Sequence, residues 1–225
     1  MHDLTPRLQS IAALVPSGSV VADVGCDHAY LAIALVESGL CPRCIATDVR
    51  PGPLARAERN VSAAGLADRI SLRLGDGLSP LHPAEADTVI LAGMGGDTME
   101  AILRAAPWVE DGAHTLILQP QSHGETLRAY LNARGFAPEE ERISTERSHV
   151  YVAFRARHTG EVSSDPLLPY ASPALLSLPR EARAPYKAKL LARLEKSRAG
   201  LARSAQGQAE AEAIGQLILQ LREVL

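Results

Sequence analysis

The sequence predicts an α/β fold: a seven-stranded, mostly parallel sheet with one antiparallel strand, followed by a C-terminal hairpin of two α-helices. Three observations predict it. Short β-rich apolar runs alternate with segments of helical composition through residues 1–157. The last two of those runs follow each other with no helix between them. Beyond a proline-rich stretch, leucines recur at three- and four-residue steps to the end of the chain.

Strands are expected at 20–24, 44–47, 70–74, 88–92 and 115–118, with helices at 30–37, 53–64, 98–105 and 126–134. Strand, helix and strand at this spacing imply right-handed crossovers, so these strands run parallel and are covered on both faces. Residues 136–144 and 150–157 are joined near Ser148-His149, which implies a hairpin and hence the antiparallel strand. Residues 158–179 hold Pro166, Pro169, Pro173 and Pro179 with Ser and Gly, and read as a boundary that divides the chain into 1–158 and 159–225. Past it, Leu190, Leu191, Leu194 and Leu201 form one apolar stripe, and Ala211, Ile214, Leu217, Ile218, Leu221 and Leu225 a second. Residues 204–208 separate the two stripes, the pattern of an antiparallel coiled-coil hairpin.

Composition narrows the class. The 225 residues suffice for one α/β domain and a small appendage; 46% are hydrophobic and only 4% aromatic, so the core should be aliphatic. The apolar run at 29–36 is too short to span a bilayer, and Met1-His2-Asp3 opens no basic, apolar leader, so a soluble cytoplasmic protein is expected. Three cysteines describe no disulfide framework. Cys41 and Cys44 straddle Pro42 and lead into a strand, whereas a redox pair follows one, and no second pair exists to complete a metal site.

The net charge of −3 conceals an asymmetry: residues 180–203 carry eight basic and two acidic side chains, whereas residues 1–179 are net −7. Lys187, Lys189, Arg193 and Lys196 are therefore candidates to meet nucleic-acid phosphates, with Arg50, Arg56, Arg59, Arg69 and Arg73 as a second candidate patch. A solvated helix face is the bland alternative for the first group.

Open parallel sheets bind ligands beyond the carboxyl ends of their strands, so the strand tips carry the functional reading. The first expected strand ends Asp23-Val24-Gly25-Cys26-Asp27. Gly25 lets a ligand approach the backbone, while two carboxylates repel a pyrophosphate, and there is no G-x-G-x-x-G. Asp23 and Asp27 suit a cationic sulfonium and ammonium instead, which favours S-adenosylmethionine over a dinucleotide. Asp48 ends the second strand, where a carboxylate can accept both ribose hydroxyls. The third ends Gly75-Asp76-Gly77-Leu78: Asp76 can bond the exocyclic amine of adenine while Leu78 packs on the ring. The fourth ends Ala92-Gly93-Met94-Gly95-Gly96, a bare turn where two ligands can meet. It lacks the polar-Pro-Pro-aromatic motif of many exocyclic-amine methylating enzymes.

These blocks, Asp23-Val24-Gly25-Cys26-Asp27-His28-Ala29-Tyr30, Gly75-Asp76-Gly77-Leu78, Ala92-Gly93-Met94-Gly95-Gly96 and Leu116-Ile117-Leu118-Gln119-Pro120, together resemble the bacterial tRNA (adenine-22) N1-methyltransferase family, as does Leu4-Thr5-Pro6-Arg7-Leu8. The resemblance covers about residues 4–157. It departs at Asp48, where relatives carry Glu, and at Gln121, where an Asn often follows the Q-P; residues 172–176 only loosely echo a Gly-Pro segment. The resemblance implies a Rossmann-like class I methyltransferase domain, S-adenosylmethionine as donor and tRNA as acceptor.

On that reading the cofactor lies among Asp23, Gly25, Asp27, His28, Tyr30, Asp48, Asp76, Gly77, Leu78, Ala92, Gly93, Met94 and Gly95. The base lies against Gly95, Gly96, Gln119 and Pro120. N1 of an extruded adenine attacks the methyl carbon in line; its lone pair needs no base, so alignment is the main contribution. Gln119 is the candidate to hold the base edge, and Asp27 or Asp97 to take a late proton. His28 is as well explained by local backbone bonding as by ligand contact, and His123 better so. No metal is expected, and a monomer is favoured. Three other readings remain open at this point: a different methyl acceptor, a nicotinamide-dependent oxidoreductase, and a non-catalytic RNA-binding module.

Overall fold

The computed structural model describes residues 4–225; Met1, His2 and Asp3, which bear on the leader, lie outside the described residues. Seven strands form the sheet: β1 (Val21–Val24), β2 (Cys44–Asp48), β3 (Ile70–Leu74), β4 (Thr88–Met94), β5 (Thr115–Pro120), β6 (Phe136–Glu146) and β7 (His149–His158). They lie in the order β3-β2-β1-β4-β5-β7-β6. Only β7 runs against its neighbours, pairing antiparallel with both β5 and β6. The chain therefore fills one half of the sheet, returns to the centre and fills the other. The reversal between β1 and β4 leaves a crevice at their carboxyl ends, where open sheets bind ligands.

The central strands are buried on both faces, which is why they read as near-continuous apolar runs. Alternate residues serve opposite cores: Val21, Ile90 and Ile117 face one, and Ala22, Leu91 and Leu116 the other. The crossover helices α2 (Tyr30–Glu37), α3 (Pro51–Ala63), α4 (Gly96–Arg104) and α5 (Gly124–Ala133) cover the two faces. A helix absent from the sequence reading, α1 (Pro6–Ala12), precedes them. Thr5 caps it, with Oγ1 accepting from the Leu8 amide at 3.4 Å, and Pro6 starts it, where a missing N–H costs nothing. It packs against the β6–β7 end of the sheet.

The hairpin turn between β6 and β7 is Arg147-Ser148, with Arg147 in the left-handed region at φ 56°. Residues 159–172 contain no helix or strand, and a short α6 (Pro173–Leu176) follows, capped by Ser172. The chain ends in α7 (Arg180–Leu201) and α8 (Gln208–Val224), with Ser204 Oγ accepting from the Gly207 amide at the break between them. Leu190, Leu194, Ile218, Leu221 and Leu225 lock the two helices together, and Ile143 and Val152 of the sheet share that cluster. The helical pair is thus welded to the β6–β7 hairpin. Arg183 Nη1 and Lys187 Nζ at one end of α7 donate to the Val224 and Arg222 carbonyls, which makes the pair antiparallel and caps the last turn of α8. Among the described residues no helix is long and apolar enough to cross a membrane.

Candidate active site

The strand tips are stitched into one rim by backbone hydrogen bonds. The Gly25 and Cys26 amides donate to the Thr47 carbonyl at 2.8 and 2.9 Å, and the Gly75 amide donates to the Asp48 carbonyl at 3.0 Å. Gly25 has φ 76°, and a Cβ there would fall 3.0 Å from Met94 Cε, so the β1 and β4 tips touch. The next turn brings Asp27 and Ala29 into the left-handed region as well, at φ 49° and 58°. Such conformations cost free energy in residues with a Cβ and tend to persist where the surroundings enforce them. Here the Asp27 amide is held by Asp48 Oδ2 at 3.2 Å and the Ala29 amide by the Cys26 carbonyl at 2.8 Å.

Two buried carboxylates meet inside this rim and are treated differently. Asp48 is satisfied: Oδ2 accepts from the Asp27 amide and Oδ1 from the Arg50 amide at 2.9 Å. Asp23, 4% exposed, accepts no hydrogen bond from any described residue. Burial, and secondarily the charge of Asp48, push its carboxyl up to about 7. A buried acid of this kind gains most from a positively charged neighbour. Beside it the surface turns apolar: Val49 is 59% exposed directly after Asp48, and Tyr30 lies 5.7 Å from the His28 ring. Asp76 is exposed and Leu78 buried behind the third tip. Gly77 at φ 53° has Ile102 against its bare face.

The fourth tip meets the loop after β5. β4 carries a register shift between Ala92 and Met94, and Gly93 there has φ 78°. The Gln121 amide donates to the Met94 carbonyl at 2.9 Å and the Gly96 amide to the Ser122 carbonyl at 2.8 Å. A Cβ on Gly96 would fall 2.4 Å from the His123 carbonyl oxygen, closer than atoms can sit. Gly96→Ala is therefore expected to push the two loops apart and to destabilise the protein by about 1–3 kcal/mol in thermal unfolding. Gly52→Ala on α3, where nothing lies within 4 Å of the added atom, should cost nothing.

The rim thus gathers Asp23, Gly25, Asp27, His28, Tyr30, Asp48, Asp76, Gly77, Leu78, Ala92, Gly93, Met94, Gly95 and Gly96 at one end of the sheet. Asp97 pairs with His123, Oδ2 to Nδ1 at 2.5 Å, on the exposed outer side of the Gly95-Gly96 turn. Asp27 lies 3.4 Å from His28 Nε2 on the opposite side. Gln119 is fully buried: Oε1 accepts from Arg7 Nη1 and Nε2 donates to the Pro120 carbonyl, both at 3.1 Å. Sequence reasoning missed Val49, because an apolar residue after a strand looks like core. It missed Arg7 because its partner lies 112 residues away.

A cavity of about 420 Å³ opens from Pro120 and His123 toward α7, floored by Val150 and Val152 and bordered by Tyr186, Lys189 and Arg193. The basic residues of α7 are partly committed inside the protein. Lys189 Nζ donates to the Val150 carbonyl at 2.8 Å, Arg193 pairs with Glu125 and Lys187 caps α8, whereas Lys196 is exposed. Of the second candidate patch, Arg73 is taken by Glu85 at 2.7 Å. Arg69 lies just before β3, at the end of the sheet away from the rim, while Arg50, Arg56 and Arg59 lie on or beside α3. Cys41 and Cys44 are both buried, and burial pushes the Cys41 thiol up to about 11, which leaves little thiolate for redox chemistry at neutral pH.

Comparison with known proteins bears on the family. A methyltransferase-domain family model matches residues 4–154. The tRNA (adenine(22)-N(1))-methyltransferase of Bacillus subtilis is 39% identical over 148 residues, which are 66% of this chain and 62% of that relative; the match thus spans less than two thirds of the relative's length. The solved structure of the B. subtilis m1A22 tRNA methyltransferase superposes with a TM-score of 0.86 at 28% identity, over 100% of this chain and 99% of the other. A candidate tRNA (m1A22) methyltransferase of Streptococcus pneumoniae, in complex with S-adenosyl-L-methionine, superposes at 0.84 with 29% identity, over 99% and 100% of the two chains. The family model covers more than half of the sequence and the sheet order fits it, so the chain belongs to the methyltransferase-domain family.

Proposed function

We propose that this protein methylates N1 of an adenine in tRNA, at position 22 in the D arm, using S-adenosylmethionine in the cytoplasm. The observation that carries the cofactor is Asp23: a buried carboxyl with no donor among the described residues, facing a neighbouring carboxylate that is already satisfied. A group bearing two positive centres fits that rim, and a pyrophosphate does not. S-adenosylmethionine supplies an electrophilic methyl group on its sulfonium. The chain's own residues do the rest. Asp23 and the bare Gly25 turn take the cationic end, Asp48 retains acceptor capacity for ribose hydroxyls, and the exposed Val49 offers apolar surface to a purine, with Leu78 buried behind it. The acceptor base enters from the β4–β5 side, over the half-buried Gly93 and Gly95, while the bare face of Gly96 is filled by the His123 backbone. Alignment is the main device, since N1 already carries its lone pair. Asp97, paired with His123, and Asp27, beside His28, are the two candidates for a late proton.

The B. subtilis relative supports adenine N1 as the target, and the basic face of α7 beside the cavity supports RNA as the carrier. Residues 1–158 would form the catalytic unit and residues 159–225 the RNA-gripping one. Transfer of labelled methyl groups to bulk tRNA, followed by nucleoside analysis, is expected to yield N1-methyladenosine. Label in any other nucleoside, or no uptake of the donor in calorimetry, overturns the reading. Replacing Lys189, Arg193 and Lys196 together by Ala should weaken tRNA binding and flatten its dependence on salt by up to about three phosphate contacts. Unchanged affinity at low salt would leave α7 a merely solvated helix.

A further inference from the structure

Arg7 stands apart from most arginines of this protein. Most half-buried ones are neutralised by a glutamate, as in Arg73–Glu85, Arg128–Glu141 and Arg155–Glu139. Of those without a carboxylate, Arg56, Arg59 and Arg203 are exposed, and the buried Arg183 gives its Nη1 to the Val224 carbonyl at the end of α8. Arg7 is half-buried, and among the described residues its anchor is a neutral amide. Gln119 Oε1 accepts from Nη1 at 3.1 Å, and Nη1 also lies 3.5 Å from where a Cβ of Gly93 would be. The Tyr151 ring lies 5.9 Å from the guanidinium carbon. An amide and a ring fix the orientation of a guanidinium without cancelling its charge. They leave a full positive charge, with N–H groups beyond the one given to Gln119, beside the bare turn of β4.

We infer that Arg7 binds a phosphate of the RNA next to the extruded adenine, and that Gln119 and Tyr151 position it. The inference rests on the function proposed above. Gln119 itself is sealed: both ends of its amide are used and none of its surface is exposed, so the group presented to an acceptor substrate at this place is Arg7. The guanidinium sits on the β4–β5–β7 side of the rim, among Gly93, Gln119 and Tyr151, whereas the acidic tips of β1 and β2 lie on the other side. Its fork matches phosphate oxygens. Extruding a nucleotide turns the backbone into the mouth of the pocket, which brings phosphates there. A seven-residue helix at the far end of the sequence would thus complete the RNA side of the site.

The test is tRNA binding as a function of salt, measured with S-adenosylhomocysteine present, alongside binding of S-adenosylhomocysteine alone. Arg7→Ala should weaken tRNA binding about tenfold near 0.1 M salt and lower the salt slope by about one contact, with cofactor affinity kept within about twofold. Arg7→Lys should keep the slope and lose part of the affinity. Gln119→Glu is the decisive variant: it neutralises Arg7 from within and should lower the slope by the same single contact, an effect that a purely structural Gln119 would not produce. Unchanged slopes in Arg7→Ala and Gln119→Glu overturn the assignment. So does a loss confined to cofactor binding, which would make the anion the donor's carboxylate. If the wild-type protein takes up no cofactor and methylates no tRNA, the parent reading fails and this inference falls with it; if it does both and the slopes hold, the role of Arg7 alone is wrong.

Discussion

Glu141→Ala is expected to destabilise the protein by about 3–5 kcal/mol, because it strands a buried charge. Glu141 on β6 is 1% exposed, and its carboxylate grips Arg128 of α5 through two hydrogen bonds of 2.7 and 2.6 Å. The Ser172 hydroxyl at the start of α6 donates to the same carboxylate, and the Arg128 guanidinium lies 4.2 Å from the centre of the Phe154 ring. One carboxylate therefore ties the crossover helix, the hairpin strand and the segment that leads into α7. Removing it leaves Arg128, whose side chain is 10% exposed, without its counter-ion. Removing both charges is a different experiment. Arg128→Met with Glu141→Leu replaces a costly desolvated pair by apolar volume and should recover most of the loss in denaturant unfolding. A double variant as unstable as Glu141→Ala would mean that shape, and not charge, holds this joint. The joint also has a functional side, since Arg128 and Tyr186 both line the cavity between the loop after β5 and α7.

None of that joint was legible in the sequence, and the reason is physical. The central strands announced themselves because burial on both faces demands an unbroken apolar run, as in Thr115–Pro120 and Thr88–Met94. The tip aspartates could be placed on the rim because such runs end visibly, but not which of them backbone amides would hold, as they hold Asp48. Helix starts were less so: α4 begins at Gly96 and α5 at Gly124, each two residues before the expected start. Glycine disfavours helix interiors, but at these two N-termini it admits a neighbouring backbone: the His123 carbonyl against Gly96, and the Pro120 ring 3.4 Å from a Cβ on Gly124. Contacts such as Arg7 with Gln119, or Arg128 with Glu141, depend on how distant elements are brought together, and a single sequence does not encode distance. The basic stretch of α7 was visible as charge, but its division between internal partners and solvent was not: Lys187 and Lys189 turn out to cap carbonyls.

The second large effect concerns pH. Asp23 has its carboxyl raised from an ordinary 3.8 to about 7, mainly by burial and then by Asp48. Between pH 4 and 7 the folded chain keeps this proton while the unfolded chain has lost it, so stability falls as pH rises through that window and levels off above 7. The full span corresponds to about 4 kcal/mol. Asp23→Asn should abolish this component, and at pH 8 the variant without cofactor should melt higher than wild type. Cofactor binding should respond in the opposite sense. A cation placed beside Asp23 favours the ionised carboxylate, so donor affinity should rise with pH up to about 7 and stay level beyond. The asparagine variant should bind the donor weakly at every pH, since an amide offers no charge to the sulfonium end. Calorimetric titrations of wild type and variant at pH 5.5, 7 and 8 separate the two effects. If donor affinity shows the same pH profile in both proteins, Asp23 does not hold the cation, and the strand-tip account of the cofactor loses its principal contact. An acid that weakens the empty fold and strengthens the loaded one is what a site built for a positively charged donor requires: the free energy lost by burying the carboxylate alone is returned when the cation arrives.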